Sequence, residues 1–65
     1  MPKTAEEMLV ELRKTHTELE NELNDVYVEF QNYGASSAGS LAKKLRKLAD
    51  KMEQFNNGYK EYLEA

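Results

Sequence analysis

Sixty-five residues with no cysteine, one histidine and one proline leave few ways to hold a fold together. Disulfides and thiolate metal sites are excluded, and a single histidine cannot build a histidine-based zinc site, so no cofactor is expected. A chain this short buries little of its surface, so one copy alone is expected to be marginal and to gain from a partner chain, while 32% charged and 40% apolar residues at net charge −3 suit a long amphipathic helix system.

The chain opens on MPKTAEEM, which has no apolar stretch after its basic residue, so no cleavable secretory signal is expected. Thr4 followed by Glu7 has the capping-box spacing and predicts a helix over 4–33. Within it, Leu9, Leu12, His16, Leu19, Leu23, Val26, Phe30 and Tyr33 recur at alternating steps of three and four, the seam spacing of a coiled coil. Only His16 breaks the apolar row. The stretch GASSAGS then concentrates glycine and serine and predicts a loop over 34–40, with Ser40 or an earlier serine capping the second helix. A second seam, Leu41, Leu45, Leu48, Met52, Phe55, Tyr59 and Tyr62, predicts that helix over 41–63. Asn56, Asn57 and Gly58 form a stop signal inside it, which the seam spacing overrides. The longest uncharged run, Phe30 to Ala42, is polar and rich in small residues, so no membrane span is expected and the cytoplasm is the expected location, for a phage or plasmid product as for any other.

The fold class expected is therefore all-α: residues 1–65 form a single antiparallel two-helix coiled-coil hairpin that pairs into a four-helix bundle. Folding the chain about Ser37 stacks Tyr33 on Leu41, Phe30 on Leu45, Val26 on Leu48, Leu23 on Met52, Leu19 on Phe55, His16 on Tyr59 and Leu12 on Tyr62. In that register His16 is a polar seam residue, packed edge-on in a layer where Tyr59 offers a hydroxyl. One edge brings Glu29 to Lys44 and Glu22 to Lys51. Tyr27, Ala42, Ala49 and Leu63 lie on the other edge, where alanines admit a close helix, and they are the expected interface with a second copy. Tyr27 is the candidate anchor.

Residues 1–33 carry three basic and eight acidic side chains (−5) and residues 34–65 carry six and four (+2), an asymmetry that internal pairing of the two helices explains. With Lys44 and Lys51 paired, Lys43, Arg46 and Lys47 remain as a modest outward patch, the only candidate contact for nucleic acid. No nucleophile accompanies His16, and Glu18 and Glu20 are expected to point away from the seam or to lie at its flank, so no catalytic pair is assembled and no enzyme is expected. The layout resembles those of plasmid copy-control RNA-binding hairpins, small type III secretion chaperones and secreted helical hairpins, but in architecture alone. The turn reads Asn32-Tyr33-Gly34, without the Trp-x-Gly of the secreted family, and no family is assigned. The function expected is a homodimerising interaction module, an adaptor, assembly chaperone or inhibitor that offers a helix face to a protein partner. The alternative is an RNA- or DNA-binding hairpin using the basic face of the second helix.

Overall fold

The computed structural model describes residues 3–65, which are helical almost throughout and contain no strand. Helix α1 runs Ala5–Tyr33 and helix α2 runs Ala38–Glu64, joined by one turn of 3-10 helix, Gly34–Ser37. The molecule measures 46 × 17 × 16 Å, and α1 alone takes about 44 Å at roughly 1.5 Å per residue. The bend at Gly34–Ser37 therefore brings α2 back alongside α1, and ion pairs join positions far apart in sequence: Lys51 Nζ lies 2.5 Å from Glu22 Oε1, and Lys44 Nζ 3.2 Å from Glu29 Oε1.

At the start of α1, Thr4 Oγ1 accepts the Glu7 amide at 3.2 Å and satisfies one of the free N–H groups of the first turn, where Glu6 and Glu7 also complement the helix dipole. The Thr4 hydroxyl in turn donates to Glu7 Oε1 at 3.3 Å, so the glutamate closes the cap through the hydroxyl. Thr4 is thus the cap, and the helix proper begins at Ala5. At the other end Gly34 takes φ 58° and ψ −137°, a backbone region open essentially to glycine, and its N–H donates to the Phe30 carbonyl. This one residue turns the chain.

The loop predicted over 34–40 is shorter than its composition implied. Once Gly34 has redirected the backbone, Ala35 to Ser37 continue in 3-10 geometry, and Ala38, Gly39 and Ser40 already belong to α2. No serine caps α2. Ser36 Oγ donates to the Tyr33 carbonyl at 2.7 Å and Ser37 Oγ to the Gly34 carbonyl at 2.8 Å, so these hydroxyls satisfy the end of α1, while the Ala38 amide finds the Ala35 carbonyl. Ser37 is buried at the turn. α2 continues past Asn56-Asn57-Gly58 to Glu64 without a break.

The apolar residues divide into two rows. Leu12, Leu19 and Val26 of α1, with Leu41, Leu48, Phe55 and Tyr62 of α2, repeat every seven positions and face the neighbouring helix. Leu19, Leu41 and Leu48 are 3–4% exposed and form the core, and the others of this inner row are half-buried. The second row, His16, Leu23 and Phe30 with Leu45, Met52 and Tyr59, was expected to interleave with the first, yet all six are exposed. The helices are rolled toward the edge that carries Thr15, Glu22 and Glu29, all half-buried, opposite Lys44, Lys51 and Gly58. On that edge a Cβ built on Gly58 would sit 3.5 Å from Leu12 Cδ2, in ordinary van der Waals contact, so the two helices lie side by side at this level.

Two layers of the sequence register change with this roll. Tyr33 is not stacked on Leu41 but exposed at the end of α1. His16 is not enclosed against Tyr59. Its ring centroid lies 6.1 Å from that of Phe55, about one turn nearer the bend, and its Nδ1 is 2.8 Å from Glu20 Oε1. Glu20, expected at the flank of the seam, lies there exposed and beside the imidazole.

Candidate protein-interaction face

Rolling the helices together along one edge opens the other. Helical periodicity places Leu23 and Phe30 on the side of α1 opposite the Glu22 and Glu29 pairs, and Leu45, Met52 and Tyr59 on the matching side of α2. These five side chains are 39–54% exposed, against 3–4% for the core leucines. Such a run of large apolar residues along both helices exceeds the scattered single exposures normal for a surface.

The residues singled out in the sequence for an interface border this row. Tyr27 and Leu63 are 65% and 63% exposed, Ala49 is exposed and Ala42 half-buried. They lie one step around each helix from the outer row, so the two sets form one continuous face. Leu23, Phe30, Leu45 and Met52 were not anticipated as part of it, because seam spacing alone marks them as core. The signal that could have found them is the asymmetry of the edges: Glu22–Lys51 and Glu29–Lys44 join the helices on one side, and among the described residues no ion pair does so on the other.

Lys43, Arg46 and Lys47 are exposed, and among the described residues none forms an ion pair, whereas Lys44 and Lys51 do. Lys47 borders a shallow groove that also contains Asp25 and Glu22, so acidic groups lie beside it. At the open end of the molecule a cleft of about 640 Å³ has a floor of Leu12, Leu19 and Phe55 and a rim bearing Glu11, Glu18 and Glu61. His16 is not among its lining residues, so the cleft and the imidazole do not form one site. Among the described residues no three His, Asp or Glu side chains converge as a metal site would require. No described helix is long and apolar enough to cross a membrane.

Compared with known protein families, curated proteins and solved structures, the chain matches none.

Proposed function

We propose that this chain is a non-enzymatic interaction module: a coiled-coil hairpin that self-associates through its open face into a four-helix bundle and acts as a small adaptor, assembly chaperone or inhibitor. The observation that carries this reading is the row Leu23, Phe30, Leu45, Met52 and Tyr59, left at 39–54% exposure while the buried apolar core among the described residues is three leucines. Hydrophobic stabilisation scales with area removed from water, at roughly 25 cal/mol per Å², and a core this small favours any association that covers the second row. In a bundle both rows become interior, in keeping with the seam spacing on both helices.

Sedimentation equilibrium at micromolar concentration tests the assembly. The expected mass is that of two chains. Ala49→Glu, which places a charge on the face where helices must approach closely, is expected to yield a helical monomer, because Ala49 is exposed within one chain. A wild type of monomeric mass with full helicity at these concentrations contradicts the proposal.

A further inference from the structure

Two arrangements cover the open face with a second copy, and the charges on α2 choose between them. A two-fold axis along the helices lays α1 of one copy over α2 of the other at the same level, with both bends at one end. A two-fold axis across the helices lays α1 over α1 and α2 over α2, antiparallel, with the bends at opposite ends. The levels are set by the pairs Glu22–Lys51 and Glu29–Lys44.

In the first arrangement Glu20 falls near the level of Glu53 of the second copy, and Arg13 near that of Lys60, so like charges oppose each other twice on each flank. In the second, residues equidistant from the axis meet, and α2 is self-complementary about Ala49. The outer row sets Leu45 against Met52 of the second copy and Ala38 against Tyr59, small against large. The alanine row sets Ala49 against Ala49 and Ala42 against Asn56. The outer flank sets Arg46 against Glu53, opposite charges that meet twice in the dimer. Within one chain both Arg46 and Glu53 are exposed, and neither has an ion-pair partner among the described residues. On α1 the level of Ala49 corresponds to Asn24, and the flank Thr17, Asn24 and Gln31 pairs with itself without any charge, while Leu23 and Tyr27 meet the same two residues of the second copy.

We infer that the second copy docks antiparallel across a two-fold axis beside Ala49, with the bends at opposite ends and Arg46 of each chain paired with Glu53 of the other; this rests on the self-association proposed above. The contact extends from one bend to the other, about 24 residues or roughly 36 Å, across a face 17 Å wide. That is about 600 Å² per copy and about 1,200 Å² in all, above the roughly 1,000 Å² that a specific interface needs. It also takes Arg46 out of any phosphate-binding surface.

The test is a charge exchange read by sedimentation, with helicity checked by circular dichroism. R46E and E53R each replace two opposite-charge contacts by two like-charge contacts, and each is expected to weaken the dimer about tenfold or more at low salt. An equimolar mixture of the two variants restores opposite pairs in the mixed dimer and is expected to recover the wild-type mass, as is the double variant R46E/E53R. A dimeric wild type whose single variants are unaffected, or whose mixture is no tighter than either variant alone, overturns this arrangement and leaves self-association standing. A monomeric wild type overturns both. Independently, a nitroxide label on Ala35→Cys at the exposed bend should give an inter-label distance of about 35–40 Å, from roughly 1.5 Å per residue on either side of the axis. A distance under about 20 Å places the bends together and overturns the proposal.

Discussion

His16 and Glu20 lie one helical turn apart on α1, with Nδ1 2.8 Å from Oε1 and both side chains more than half exposed. An imidazole in an apolar row would be costly if enclosed, and the roll of the helices avoids that cost by leaving it at the surface with a carboxylate beside it. Exposed pairs at this spacing contribute little, because solvent screens them and two side chains must be ordered. Glu20→Gln is accordingly expected to change the unfolding free energy by no more than about 0.5 kcal/mol in urea titrations. A loss of about 2 kcal/mol or more would mean that the pair is enclosed.

The three glycines separate by backbone and by space. Gly34 holds a positive φ that L-residues rarely adopt, so Gly34→Ala is expected to destabilise by about 1–3 kcal/mol. Gly58 sits inside α2 with room for a methyl group in ordinary contact with Leu12, so Gly58→Ala is expected to stabilise by about 0.5–1 kcal/mol through helix propensity and the added contact. Thermal melts of the two variants at one fixed protein concentration should move in opposite directions. A destabilising Gly58→Ala would show that the helices are closer at that level than the 3.5 Å contact allows.

The two apolar rows should respond differently to truncation. Leu48 is 3% exposed, and Leu48→Ala is expected to cost about 2–5 kcal/mol, enough to unfold a chain of this size. Leu45, 46% exposed, lies on the open face, so Leu45→Ser is expected to leave helicity largely intact in dilute solution while reducing the sedimenting mass. If both variants unfold alike at every concentration, the outer row is buried within the single chain.

Much of this architecture could be read from the sequence because it rests on periods and charges. The alternating three and four steps mark both helices, and the acidic first half facing the basic second half places Glu22 by Lys51 and Glu29 by Lys44, as found. The roll of each helix about its axis was not legible. Seam spacing assigns Leu19 and Leu23 equal standing, and it is the chemistry of the flanks, with Glu22–Lys51 and Glu29–Lys44 along one edge, that goes with Leu19 facing inward. The turn was overdrawn for a related reason: glycine and serine are weak helix formers, but a single positive-φ residue suffices to reverse the chain, after which Ala38 to Ser40 gain more from joining α2 than from remaining loop.

The basic residues of α2 give the last prediction. Affinity for nucleic acid is dominated by phosphate neutralisation, and each contact releases condensed counterions, so binding requires several free cations on one surface and falls steeply with salt. Of the five basic residues between Lys43 and Lys51, Lys44 and Lys51 are engaged with Glu29 and Glu22, and Lys47 borders a groove that contains Asp25. Lys43, Arg46 and Lys47 remain outside ion pairs among the described residues, on a chain of net charge −3 whose other helix is strongly acidic. Three unpaired cations per chain in a repulsive field make a weak phosphate-binding surface. Fluorescence anisotropy of a labelled RNA hairpin and of duplex DNA is therefore expected to show no binding at about 50 mM salt with protein up to about 100 μM. Binding that weakens linearly with the logarithm of salt, and that is lost in the variant Lys43→Gln, Arg46→Gln, Lys47→Gln, would reverse this conclusion and make the outward face of α2 the functional surface.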